Sequence, residues 1–201
     1  MYISLFKHLK KIMKKSVFIL ALTVIAAGLF SFIPASSTLN QATGYSVDVV
    51  KSKIDWSGAA GDHYHIGSVN LKGGQVSVDN GKITGGKFSI DLTTIKSDAG
   101  ERLDGHLKSP DFFDAVKFGE ATYEIKSVKY TSDNTADIDG TLTIKGVSVA
   151  VKFSAKVRGI DDKKLFAEAS FSFDRTLFGV NYGPGKVAND VAVNVHLFAT
   201  K

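Results

Sequence analysis

From Tyr45 onward, apolar and polar residues alternate in runs separated by glycine, asparagine or charged clusters. A period of two is the mark of a strand with one buried and one wet face. In "GVSVAVKFSAKV", Val147, Val149, Val151, Phe153, Ala155 and Val157 share one face, and Ser148, Lys152, Ser154 and Lys156 take the other. "LFAEASFSFDR" repeats the pattern with Leu165, Ala167, Ala169, Phe171 and Phe173, and "DVAVNVHLFA" with Val191, Val193, Val195, Leu197 and Ala199. Further strands are expected at Lys53–Ser57, Val69–Leu71, Gln75–Asp79, Lys82–Leu92, Thr122–Tyr130 and Ala136–Ile144.

The turns between them agree. Asn80-Gly81 sits between two alternating runs and suits the two positive φ angles of a type I′ hairpin, and Lys145-Gly146 suits a second. Pro110 and Pro184 fall between strand segments, so neither interrupts a ladder. About eight to ten strands of this kind favour a closed antiparallel barrel, because closure removes exposed edges. The fold class expected is all-β: a closed antiparallel barrel of about eight strands, with one short helical insertion around Asp98–Asp114.

A barrel of that size is either filled by its own side chains or able to hold one small ligand. Its inward set mixes Val, Ala and Leu with Phe88, Phe153, Phe171 and Phe173, and Ala155, Ala167, Ala169 and Ala199 leave room that a filled interior would not. An apolar cavity is therefore favoured over a core of small residues set opposite large ones. A membrane-spanning barrel fits poorly, because the outward faces carry Lys53, Asp55, Lys152, Lys156, Glu168 and Asp174, which are costly against lipid.

The insertion "SDAGERLDGHLKSPDFFD" departs from alternation. Leu103 and Leu107 lie four apart, as do Asp104 and Lys108, a possible ion pair, and Arg102 and His106. Ser109-Pro110-Asp111 then reads as a second helix start, with Ser109 as N-cap and Pro110 in the first helical position. Phe112 and Phe113 point in different directions, so at least one can cover a barrel end.

Composition changes the picture at the amino terminus. The net charge of +5 suggests a nucleic-acid binder, but Lys7, Lys10, Lys11, Lys14 and Lys15 all precede the first apolar run, and residues 1–37 hold no acid. Without them the chain carries twenty basic against twenty acidic residues, so no footprint for a phosphate backbone remains. Lysines, the apolar run Ser16–Ile33 and then "PASS" form an export signal over residues 1–37, and Met13 would be a sufficient start by itself. Cleavage is favoured over retention as a membrane anchor, and a periplasmic or secreted protein is expected. There is no cysteine, hence no disulfide, thiolate site or cysteine-linked lipid anchor.

"GHLKSPDFFDAVKF" resembles the signature of the YceI-like family. "YSVDVVKSKIDW", "HIGSVNLKGGQV", "GGKFSIDLTTI", "GTLTIKGVSVAVKF" and "DRTLFGVNYG" extend the resemblance in order over residues 45–201, the domain expected to follow the signal. Gly119 stands where the family commonly has proline. The resemblance implies an exported, lipocalin-like barrel that binds a long apolar chain, such as a polyisoprenoid, an isoprenoid quinone or a fatty amide. The expectation is a carrier that performs no chemistry and takes no cofactor or metal. Phe88, Phe112, Phe113, Phe153, Ala167, Ala169, Phe171 and Phe173 are the residues expected to line or gate its cavity. Such a protein would be soluble after export, with membrane association and a dimer both compatible.

The competing reading is a metalloprotein or hydrolase built on His63, His65 and His106. His63 and His65 share a face if their segment is extended, and Asp62 is adjacent, but the spacing is weakly specific. His106 could pair with Asp104, Asp111 or Asp114, yet no nucleophile elbow accompanies it. Asp174 and Arg175 suit a structural pair at a strand end, in preference to a head-group contact by Arg175. "GPGK", Gly183–Lys186, lacks the spacing of a phosphate-binding loop.

Overall fold

A computed structural model describes residues 42–201; the export segment and the alternative start at Met13 lie outside the described residues. Alternating runs form strands β1 (Thr43–Val47), β2 (Lys53–Ala60), β3 (His63–Asp79), β4 (Lys82–Ser97), β5 (Glu120–Tyr130), β6 (Thr135–Ile144), β7 (Val147–Ile160), β8 (Lys164–Asp174) and β9 (Val187–Thr200). The helix α1 (Glu101–Lys108) follows β4, and a 3-10 turn (Arg175–Phe178) follows β8. All pairings are antiparallel. Strands β2 to β9 close into a ring of eight, with β2 bonded to both β3 and β9.

Strand β1 was not anticipated as a separate element. It also pairs with both β3 and β9, further along them than β2 does, so β1 and β2 form one interrupted stave. Residues 49–51 loop out, and the Ser52 hydroxyl bridges the gap by donating to the Phe198 carbonyl at 3.1 Å and accepting from its N–H at 3.0 Å. Buried backbone groups that have lost a strand partner are satisfied in this way.

Two segments expected to be separate, Val69–Leu71 and Gln75–Asp79, are one continuous strand. Gly73-Gly74 is no turn: the register shifts between Leu71 and Gly73, and the strand continues. A Cβ on Gly74 would meet the Lys87 carbonyl, the Phe88 ring and Val47, each at 2.9 Å. The glycine therefore permits close approach at a bend, as bulged barrel strands require. Both expected hairpins form, with φ of 50° and 73° at Asn80 and Gly81, and 51° and 77° at Lys145 and Gly146. Val147, placed on the inward face by its alternation, is 42% exposed because it stands at the hairpin end.

One end of the barrel is sealed by Tyr45, Val76, Val78, Ile83, Leu165 and Ala199, all buried. The Tyr45 hydroxyl donates to the Asp161 carbonyl at 2.6 Å, which ties β1 to the β7–β8 turn. At the other end lie α1 and the segment after it. Leu107 is buried, and Leu103 packs against the same core cluster. Asp104 does not pair with Lys108. It turns to β4, accepting from the Ser97 N–H at 2.7 Å and hydroxyl at 2.8 Å, with Lys96 Nζ at 3.1 Å.

The second helix start also fails. Ser109 Oγ accepts from the Asp111 N–H at 3.3 Å as an N-cap would, but it donates to the His106 carbonyl and closes α1 instead. The chain then folds back: the N–H groups of Phe113, Asp114 and Ala115 return to the carbonyls of Leu107, Ser109 and Lys108, and Asp114 takes φ 48°. These returns use the carbonyls left free at the helix end, so a turn replaces a second helix.

Candidate functional site

The barrel encloses a cavity of about 440 Å³. The inward alternation of β7, β8 and β9 builds much of its wall, and Ala155, Ala167 and Ala169 set the wall back where larger residues would fill it. Phe153 stacks on Phe171 with ring centroids 4.4 Å apart, and Tyr123 tilts against Phe153 at 5.4 Å, so three strands share one aromatic row. Trp56 on β2 lies against Gly67 on β3, where a Cβ would collide with the indole. Its Nε1 is buried without a protein partner.

All eight residues expected at the cavity, Phe88, Phe112, Phe113, Phe153, Ala167, Ala169, Phe171 and Phe173, lie on its wall. Sequence reasoning missed Trp56 and Ile54, although the alternation of β2 turns both inward from Lys53 and Asp55. It also missed Tyr182, which sits in a loop whose pattern carries no period. Tyr123 lines the wall and donates its hydroxyl to the Val151 carbonyl at 3.0 Å. Burial pushes its pKa well above the ordinary tyrosine range, so it remains a neutral donor.

Polar groups gather at the α1 end. His106, Phe112 and Tyr182 meet there as three rings, their centroids 4.6 to 5.0 Å apart. Arg175 lines the same end and is 3% exposed. The expected pairing with Asp174 is not made. Asp174 accepts from the Thr176 N–H at 2.8 Å and hydroxyl at 2.6 Å, capping the 3-10 turn and holding its carboxyl below the usual range. Arg175 instead donates to the carbonyls of Val180, Tyr182, Val187 and Ala188, strapping the loop before β9 to the barrel. Desolvation lowers its affinity for the proton.

The histidines are not assembled into one site. His63 pairs with Asp62, His65 with Asp98 at 3.1 Å and His106 with Asp111 at 3.1 Å. Among the described residues no group of three His, Cys, Asp or Glu side chains could hold a metal ion. At the turn before β5, the Gly119 carbonyl accepts from the Leu92 N–H at 2.9 Å.

Compared with known proteins, residues 45–199 match the model of the YceI-like domain. The chain belongs to the YceI-like family. Its relatives include a UPF0312 protein of Pseudomonas putida, 36% identical over 135 residues that span 64% of this chain and 69% of that one. Another, from Pseudomonas fluorescens, is 33% identical over 156 residues, 74% of this chain and 80% of that one. Among solved structures, BcnA of Burkholderia cenocepacia is 25% identical with a TM-score of 0.68, covering 77% of this chain and 99% of that one. A polyisoprenoid binding domain from Saccharophagus degradans, implicated in plant cell wall breakdown, is 14% identical with a TM-score of 0.61. The match covers 78% of this chain and 97% of that domain, and at this identity it shows the fold alone. The YceI-like family thus accounts for the lipocalin-type barrel.

Proposed function

We propose that this protein binds and carries one long apolar lipid, a polyisoprenoid, an isoprenoid quinone or a fatty amide, in the bacterial periplasm after export. The single observation behind this reading is the apolar cavity of about 440 Å³, sealed at the β1 end and bordered by polar groups at the other. A ten-methylene tail gains roughly 8 kcal/mol on burial, at ~0.8 kcal/mol per CH₂, before ordering costs are subtracted. The polyisoprenoid-binding structural neighbour agrees with such a ligand. The reading assigns no catalytic role to any side chain.

Native mass spectrometry of gently purified protein, followed by organic extraction, tests the reading. The expected result is a copurifying isoprenoid, quinone or fatty amide in one-to-one ratio. Empty protein carrying stoichiometric zinc would overturn it in favour of the histidine reading. Export with cleavage is checked by amino-terminal sequencing of the exported protein. A start within or just after "PASS" is expected, and a start at Met1 or Met13 contradicts cleavage.

A further inference from the structure

The seams of the barrel are not zipped to equal lengths. β6 pairs with β7 from Ile144↔Val147 to Thr135↔Lys156, and β8 with β9 from Lys164↔Thr200 to Asp174↔Asp190. Between them, β7 and β8 pair only from Ala155↔Ala169 to Ile160↔Leu165. Toward the α1 end, residues 147–154 and 170–174 are therefore two strand edges with no ladder joining them. The β4–β5 ladder is also short, but it is extended in both directions, by the Leu92 N–H to the Gly119 carbonyl at 2.9 Å and by the Ile83 N–H to the Tyr130 hydroxyl at 2.8 Å. Among the described residues no such bond extends the β7–β8 ladder toward α1.

The side chains repeat the division. On the outer surface the ion pair of Arg158 with Glu168 crosses the zipped half. In the split half the outward side chains turn away from the seam: Lys152 and Ser154 bond to Asp139 and Asp137 on β6, and Ser170 to Asn194 on β9. On the inner surface only rings close the gap. Phe153 stacks on Phe171 just beyond the last paired position, and Phe173 meets Phe178 of the 3-10 turn edge-on at 5.5 Å. That turn lies against β7 and Phe178 is buried, so the ring acts as a wedge between the strands.

We infer that the split seam between β7 and β8 is a lateral portal through which the apolar tail enters and leaves the barrel, with Phe153, Phe171, Phe173 and Phe178 as its closure. The inference rests on the lipid-binding reading of the cavity and adds the route. Both ends of the barrel are held by hydrogen bonds: Tyr45 to Asp161 at one, Asp104 to Ser97 and Arg175 to four carbonyls at the other. Moving either end leaves buried polar groups unpaired, which is costly. Parting the rings breaks no hydrogen bond, and the methylenes of an arriving tail replace the contacts the rings give up. The outer edge of the seam is apolar as well, with exposed Val147 at the start of β7 and exposed Leu177 in the turn. A slit also admits a long chain sideways, without threading its whole length through one end.

The chain has no cysteine, so a thiol pair can be placed across the seam without interference. Lys152→Cys with Ser172→Cys continues the β7–β8 register three positions past Ala155↔Ala169, on the exposed face. Thr143→Cys with Ser148→Cys, where the native hydroxyls lie 2.8 Å apart, bridges the fully zipped β6–β7 seam as the control. Each pair is oxidised, or joined by bis-maleimidoethane where the sulfurs stay apart, and bridging is confirmed by intact mass. Uptake of all-trans-retinol by delipidated exported protein is followed by stopped flow through quenching of Trp56, the chain's only tryptophan and a cavity-wall residue. The β7–β8 bridge should slow uptake about tenfold or more relative to the same variant unbridged, as expected when a gating motion is blocked. The β6–β7 bridge should leave the rate unchanged. Phe171→Leu, which removes the stacked ring, should speed both uptake and release severalfold. Unchanged uptake through the β7–β8 bridge, or equal slowing by both bridges, overturns the portal and leaves the lipid-binding reading standing, because retinol still binds. Failure of the unbridged protein to take up retinol overturns both readings.

Discussion

Tyr123 illustrates how a single polar atom is accommodated in an apolar wall. Its ring packs tilted against Phe153, and a Cβ on Gly140 of the neighbouring strand would collide with the tyrosine ring, so the glycine makes the space the tyrosine occupies. Its hydroxyl is buried and satisfied by the Val151 carbonyl. Tyr123→Phe removes that bond and is expected to cost about 1 kcal/mol. Urea denaturation of the two proteins checks this, and an unchanged midpoint would mean that the bond contributes nothing net. Arg175 is the opposite case. Its four bonds to backbone carbonyls fix the loop that carries Tyr182, so a buried charge serves as a strap.

At the scale of elements, α1 is held by one carboxylate as much as by its two leucines. It is only eight residues long, has glycine at its N-cap with no side-chain cap, and is too short to be stable without tertiary contacts. Asp104 supplies such a contact through Ser97 and Lys96 of β4. The Ser97 hydroxyl and N–H and the Lys96 ammonium lower its pKa from the ordinary 3.8. A depressed carboxylate contributes stability that is present above the unfolded pKa and lost as pH falls through the folded one. Acid should therefore release α1 from β4 below about pH 3.8. Asp104→Asn should lower stability at neutral pH and flatten the acid dependence in that window, read from thermal melts at a series of pH values. Identical pH profiles for the two proteins would show that Asp104 does not anchor the helix.

At the scale of the molecule, the barrel is closed by its own pairing, plugged at the end where β1 lies and bordered by α1, the fold-back turn and the strapped loop at the other. The small residues of β8 keep its interior open. Ala167→Phe or Ala169→Phe places a ring where the wall is set back, and the adjoining cavity of about 440 Å³ gives that ring somewhere to go. Both variants should keep the fold while losing lipid uptake, with overpacking limited to about 1–3 kcal/mol. Circular dichroism melts together with extraction of bound lipid decide this. Undiminished lipid in a folded Ala167→Phe protein would place the ligand elsewhere.

Periodicity alone was enough to place most of the strands and the inward faces of β7, β8 and β9, because one buried and one wet face impose an alternation that needs no partner to be read, and Asn80-Gly81 and Lys145-Gly146 placed both hairpins. It also marked six of the expected residues that line the cavity, since the inward face of a closed barrel is its interior, whereas Phe112 and Phe113 came from the aperiodic insertion. Contacts between residues distant in sequence decided the rest. Strand β1 became half of a split stave only because Ser52 meets Phe198, and Gly73-Gly74 became a bend only because β1, β3 and β4 converge there. Asp104 turned from Lys108 to Ser97, and Arg175 from Asp174 to four carbonyls, because a buried polar group takes the partners that the fold places beside it, whatever its spacing in the chain offers.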